Sequence, residues 1–244
     1  MKEAVFSVLS QTLIARDTYR LTMAGDVSAI TSPGQFVQIR LDSYFLRRPI
    51  SVCLRDEDTL TLVYKVVGGG TKALAELPAG AKLDLLTGLG NGFDTSKSGQ
   101  TPLLVGGGVG TAPLLWLCRT LVEEGKKPTV LLGFNTAEEV FLEEDFRAMG
   151  ADVTVVTMDG SRGKKGLVTE HLPSPEMYDF YYTCGPAPMM KALHGAAAHP
   201  GQISLESRMG CGFGACMGCT CQTKNGPVRI CHEGPVLESE AIVW

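Results

Sequence analysis

Apolar and polar positions alternate in short runs through the first hundred residues. AVFSVLSQTLI, TYRLTMAG, GQFVQIRL, PISVCLRD and TLTLVYKVV are rich in β-branched and aromatic residues, and Gly, Pro, Asp and Asn separate them. Runs of this kind predict strands. So many short strands close together predict a small antiparallel barrel. One helical stretch, TKALAEL, interrupts them. The pattern changes after TSKSGQ at 95–100, which reads as a linker. TPLLVGGGVGTAPLLWLCRTLVEEGKKPTVLLGF then predicts a strand, a glycine turn, a helix and a second strand. EVFLEEDFRAMG predicts another helix and ADVTVVT another strand, and GLVTEHL, YDFYYTCGP and PMMKALHGAAA continue the alternation. Strands alternating with helices predict a parallel sheet with helical crossovers. The remainder has little periodicity and is rich in Cys and Gly. The organisation expected is a barrel over 1–98, an α/β domain over 99–203 and a small terminal segment over 204–244.

Composition adds limits. With 44% hydrophobic residues and a net charge of -4, the chain has the balance of a globular protein. It lacks the basic excess that nucleic acid or an anionic membrane surface would attract. The N-terminal stretch MKEAVFSVLSQTLIARD has no uninterrupted apolar core, so no signal peptide is expected. No apolar run approaches the roughly 18 residues of a membrane span. The location expected is the cytoplasm. Thiols are kept reduced there, so the eight cysteines point to metal or redox chemistry rather than a disulfide framework.

Four of those cysteines form a pattern. Cys211, Cys216, Cys219 and Cys231 are spaced C-x4-C-x2-C-x11-C. The first three match the plant-type two-iron arrangement. Gly210, Gly212, Gly214 and Gly218 let backbone wrap closely round such a cluster. Structural zinc is the competing reading, although its cysteines more often come as two separated knuckles. Cys221 alternates with Cys219 and is expected to point away. His232 is read as a surface or supporting residue. Cys53 and Cys118 lie in apolar runs and are expected to be buried small hydrophobes.

Two glycine turns precede helices. GGGVGTAP, at 106–113, follows an apolar strand and fits G-x-G-x-x-P through Gly108, Gly110 and Pro113. A strand–glycine turn–helix unit offers free N–H groups to a dinucleotide pyrophosphate. Alone, such a turn is as often only a tight turn. VVGGGTKAL, at 66–74, repeats the arrangement in the first domain, so two different nucleotides are expected. The arginine pair in LRRPISV, taken alone, reads as a solvated face.

Together these motifs resemble the ferredoxin reductase-like flavoproteins, which pair an FAD-binding barrel with a nicotinamide-binding α/β domain. Arg48, Pro49, Ile50 and Ser51 match that family's R-x-[YFI]-[ST] flavin motif. The resemblance implies that Arg48 contacts the FAD pyrophosphate and that Ser51 lies at the reactive flavin edge. Val63, Tyr64 and Lys65 would run along the flavin, and Gly70 and Thr71 would form its second phosphate turn. Gly106, Gly107, Gly108, Gly110, Thr111 and Pro113 would bind the nicotinamide pyrophosphate. Cys184, Gly185 and Pro186 match the C-G-P motif, which puts Cys184 beside the nicotinamide. As a strand-end residue, Cys184 also reads simply as a buried thiol. Ser51 and Cys184 are the catalytic candidates.

The ending ESRMGCGFGACMGCTC narrows the resemblance. All three segments, in order, are similar to electron-transfer subunits of the NAD-linked dihydroorotate dehydrogenase family, which serve pyrimidine biosynthesis. This implies a 2Fe–2S cluster on Cys211, Cys216, Cys219 and Cys231, together with FAD and NAD. It implies a partner catalytic subunit carrying FMN, in a heterotetramer with two copies of each subunit. The nearest rival is the small flavin subunit of another NAD(P)H oxidoreductase, such as a ferredoxin–NADP reductase, sulfite reductase or hydrogenase complex. There a cluster cysteine is often Asp. A zinc-stabilised binding module and a freestanding diaphorase are further alternatives. Arg162, Lys164 and Lys165 could hold a ribose 2′-phosphate or form a solvated turn. LLGFNTAEE has no arginine after the second strand, which favours NAD.

Overall fold

The computed structural model describes residues 1–42 and 44–244. Six strands close an antiparallel barrel: β1 (Lys2–Ala15), β2 (Thr18–Ala24), β3 (Phe36–Ile39), β4 (Arg48–Arg55), β5 (Thr59–Lys65) and β6 (Lys82–Leu89). Their order round the barrel is β1-β2-β5-β4-β3-β6. Strand alternation fills it from within, through Phe6, Val37, Ile39, Leu62, Tyr64 and Leu85. The sequence pattern anticipated the first five strands but not KLDLLTGL, the strand that closes the barrel. The short helix α1 (Gly69–Ala75) covers one end.

The α/β domain places β7 (Pro102–Gly107), β8 (Thr129–Phe134), β9 (Asp152–Thr157), β10 (Lys164–Lys165), β11 (Phe180–Cys184) and β12 (Gly201–Ser204) in one sheet. Its order is β10-β9-β8-β7-β11-β12 with all these pairs parallel, and helices α2 (Ala112–Glu123), α3 (Glu143–Ala148) and α4 (Ala187–Ala196) provide connections. Three expectations need correcting. EVFLEEDFRAMG is helical only over Glu143–Ala148, because Leu142 takes φ 62° and Val140 and Phe141 instead enter the core. GLVTEHL forms a 3₁₀ turn over Val168–His171. TSKSGQ is a fastened turn rather than a loose linker: Asp94 caps it, Tyr182 Oη donates to Asp94 O at 2.9 Å, and Lys126 donates to Thr95 O.

The terminal segment is built onto both other domains. It forms a hairpin, β13 (Thr220–Thr223) with β14 (Gly226–Arg229). It then returns as β15 (Val236–Glu238), which pairs antiparallel with β12 at the edge of the large sheet. Asn91, in the turn after β6, ties this return to the barrel. Asn91 Nδ2 donates to Val236 O at 2.7 Å, and Val236 N donates to Asn91 Oδ1 at 3.0 Å. Phe36 and Leu89 of the barrel pack with Cys219, Ile230 and Cys231 of the segment.

Helix α2 joins the first two domains. Its Leu114, Leu115 and Leu117 pack in the α/β core, where Cys53 and Val63 of the barrel join them. Its Trp116 packs in the barrel core. Ion pairs line the seam, including Arg20–Asp145 at 2.7 Å and Lys65–Glu139 at 2.9 Å. Such partly exposed pairs contribute at most about 1 kcal/mol each, so apolar burial dominates the joint. Cys53 and Cys118 are fully buried.

Two expected outcomes test this joinery. Trp116→Ala should cost about 3–5 kcal/mol, the usual range for an aromatic removed from a core, and urea denaturation should show barrel and α/β signals unfolding together. A loss under about 1 kcal/mol would contradict a shared core, being far below that range. Asn91→Ala should cost about 1–3 kcal/mol by leaving buried partners unsatisfied. Hydrogen exchange should accelerate at residues 233–238 and remain slow in the barrel interior.

Candidate functional site

A cleft of about 390 Å³ opens between the barrel and the α/β domain. Strand β4 supplies Arg48, Pro49, Ile50 and Ser51 to one wall, and β5 supplies Val63, Tyr64 and Lys65. Across from the barrel stand Gly110 and Pro113 at the head of α2, and Cys184 at the end of β11. Ten sequence-predicted residues thus share one cavity with Thr71, which α1 contributes. Gly70 lies just behind, where an added Cβ would sit 2.2 Å from Arg48 Nε.

The arginine pair divides its work. Arg47 is bound into the barrel by Asp84 at 2.8 Å and Glu3 at 2.6 Å. Its hydrogen bond holds the Asp84 carboxyl below the usual carboxylate range. Arg48 reaches the cleft instead, with its guanidinium 4.7 Å from the centre of the Tyr44 ring. This cation–π contact orients a planar five-donor group suited to phosphate.

Strand alternation also sorts β5. Tyr64 turns into the barrel, where its hydroxyl donates to Gln11 Oε1 at 2.9 Å and burial raises its pKa. Lys65 Nζ reaches Glu139 of the α/β domain. Thr71 closes the first turn of α1: its hydroxyl accepts the N–H of Val67 and of Gly68 and donates to Gly68 O. Cys184 is 2% exposed. Burial first, and the nearby Glu206 second, push its thiol up to about 12, so it remains neutral near pH 7.

Sequence reasoning missed the wall after β12. Ser204, Glu206 and Met209 line the same cleft, and Ser204 pairs in register with Cys184. Glu206 faces the open cleft, yet surrounding protein desolvates its carboxyl enough to raise its pKa. ESRMGC carries the signal, an acid just before the cysteine loop.

A second cavity of about 360 Å³ lies along the carboxyl ends of the parallel strands. Gly107 at the end of β7, Gly108 just after it and Pro186 after β11 line it, together with Asn135, Glu139 and Met158. From β7 the chain winds outward to β8 and β9, then returns to β11 on the other side. Dinucleotides bind in the crevice at such a reversal. Gly110 brings the loop against the neighbouring strand end: an added Cβ would lie 2.6 Å from backbone atoms of Cys184 and Gly185. Gly106, Thr111 and Gly185 lie behind the walls rather than on them. Thr111 turns its buried hydroxyl towards Gly106. Arg162 pairs with Glu143, so this guanidinium already has an anionic partner within the protein.

The cysteine loop presents its thiols in pairs. Cys216 N points at Cys211 Sγ at 3.4 Å, and Cys231 N points at Cys219 Sγ at 3.4 Å. Gly214 N donates to Cys231 Sγ at 3.2 Å. Burial alone would raise the Cys211 thiol, but backbone N–H groups led by that of Cys216 bring it down to about 6. Two thiol pairs ringed by backbone N–H groups fit a two-iron cluster. Cys221 is half-buried, and its thiol lies 3.8 Å from its neighbour's carbonyl, Gln222 O. His232 is exposed and contacts Glu233. No helix among the described residues is long and apolar enough to cross a membrane.

Comparison with known proteins agrees with this geometry. Residues 206–243 match the iron–sulfur cluster binding domain of dihydroorotate dehydrogenase B, and residues 104–195 match the oxidoreductase NAD-binding domain. The dihydroorotate dehydrogenase B (NAD(+)) electron transfer subunit of Fusobacterium nucleatum is 43% identical, over 91% of this chain and 92% of that one. The subunit of the same name from Shouchella clausii is 41% identical, over 99% and 98%. Among solved structures, one on flavin-based electron bifurcation by NADH-dependent reduced ferredoxin–NADP oxidoreductase superimposes with a TM-score of 0.89 at 30% identity, covering 98% of this chain and 90% of that one. A ferredoxin–NADP⁺ reductase from Neisseria gonorrhoeae, at 18% identity and a TM-score of 0.69, covers 80% of this chain and 90% of its own and shares the fold. The chain therefore belongs to the family of dihydroorotate dehydrogenase B electron-transfer subunits, within the ferredoxin reductase-like flavoproteins.

Proposed function

We propose that this chain carries electrons between NAD and a partner catalytic subunit that holds FMN and oxidises dihydroorotate, in an assembly of two copies of each. The observation that carries this reading is the convergence of the flavin-motif strand, the end of β11 and the segment leading into the cysteine loop on one cleft. Bound FAD would supply the bridging chemistry, hydride exchange with the nicotinamide and single-electron exchange with the cluster.

The chain's own residues bind and orient. Arg48 would hold the FAD pyrophosphate, with Gly70 and Thr71 as the second phosphate turn. Pro49, Ile50 and Val63 would flank the ring, and the backbone of Tyr64 and Lys65 would run beside it. Ser51 and Cys184 would stand at the reactive edge. Cys184 acts there as a neutral thiol, because burial keeps its proton on. Gly106, Gly107, Gly108, Gly110, Thr111 and Pro113 would shape the NAD loop, with Gly185 and Pro186 opposite. The Arg162–Glu143 pair supports NAD over its 2′-phosphate form. Cys211, Cys216, Cys219 and Cys231 would be the cluster ligands. The half-exposed Phe213 and Met217 make the cysteine loop the natural face for the partner. Functional units at 1–98, 99–203 and 204–244 follow this division of labour.

Purification without oxygen tests this directly. The expected result is a flavin spectrum over broad iron–sulfur absorption, with about two irons per chain and co-purification with an FMN protein active on dihydroorotate. A colourless zinc protein would overturn it. Gly110→Ala should retain FAD but weaken NADH binding by roughly tenfold or more, because about 1.4 kcal/mol of misplacement is enough. Stopped-flow flavin reduction across NADH concentrations checks this, and an unchanged Kd would count against the loop assignment.

A further inference from the structure

Gln38 lies at the centre of β3 and is fully buried. Neither Nε2 nor Oε1 of its amide has a hydrogen-bond partner among the described residues. Leaving a buried amide unpaired costs about 1–3 kcal/mol, so buried amides are almost always matched. The side chain points outward from the barrel, because its alternate neighbours Val37 and Ile39 fill the interior while Phe36, on its own face, packs against Cys219 and Cys231. It ends against the cysteine loop. A Cβ at Gly212, the residue after Cys211, would sit 2.0 Å from Gln38 Nε2. Gly212 has φ 78°, a left-handed backbone that glycine adopts without strain. The loop therefore closes directly on the amide. In register, Gln38 pairs with Pro49 of the flavin-motif strand, so one residue links the flavin wall to the cysteine loop.

We propose that Gln38 is a positioning residue for the iron–sulfur cluster, its Nε2 donating a hydrogen bond to a cluster sulfur beside Cys211. This inference rests on the cluster reading above. The amide then finds the acceptor that the protein does not provide. A donor to the sulfurs stabilises the more negative, reduced cluster and raises its potential. Gln38 would thereby favour the reduced form of the cluster.

The test uses the full chain loaded with FAD and cluster, with iron and sulfide assayed so that failure of the cluster reading is seen separately. Gln38→Leu keeps the shape and removes the donor. An EPR-monitored redox titration should show the cluster several-fold to tenfold harder to reduce, where tenfold is about 59 mV for a one-electron couple. An unchanged midpoint in fully loaded protein would overturn the proposal. Should Gln38→Leu lose its cluster, the wild type decides. With glutamine labelled by ¹⁵N in the side chain, pulsed EPR of the reduced cluster should show a coupled nitrogen that persists in Gln222→Leu. Absence of that coupling would overturn the proposal equally.

Discussion

The terminal segment cannot hold four thiols in place by its own packing, and the rest of the structure answers that constraint. About forty residues, rich in Gly and Cys, bury too little apolar surface for an independent core. The chain borrows order instead. Strand β15 takes the open edge of the α/β sheet, Asn91 grips Val236 from the barrel side, and Phe36 and Leu89 supply an apolar floor. The cysteine loop is thereby set against both domains. A bound cluster would add to this, since metal-binding free energy becomes folding free energy where no site exists in the unfolded chain.

The same joint serves electron transfer. Phe36 belongs both to the cleft between barrel and α/β domain and to the apolar group around Cys219 and Cys231, so a flavin in that cleft and a cluster on those cysteines would share a wall. Helix α2 fixes the other relation, between barrel and α/β sheet, by placing Trp116 in one core and its leucines in the other. The Lys65–Glu139 pair then spans the two cavities. Rigid elements on each side keep three cofactor positions in register, which is what the protein contributes to chemistry that the cofactors perform.

The sequence made much of this legible, for physical reasons. Strand alternation and glycine turns are local, and they revealed the barrel, the parallel sheet and the loops at 66–74 and 106–113. The cysteine spacing is local too. What escaped notice depends on distant segments meeting. Nothing near Gln38 in the sequence announces that the cysteine loop covers it. Only the fold discloses the grip of Asn91 on Val236. Glu206 became part of the cleft because β12 delivers it there. Leu142 broke the helix expected from EVFLEEDFRAMG through a backbone angle that no hydrophobic pattern encodes.

The most direct measurement is anaerobic addition of NADH to the purified chain without its partner, following flavin absorbance and the EPR signal of the cluster in one sample. The account predicts that flavin bleaching and a reduced-cluster signal appear together, with the cluster signal integrating to about one per chain, as one two-iron centre requires. Flavin that bleaches beside a fully loaded cluster that stays oxidised would contradict it, since the two sites would then not communicate within this chain.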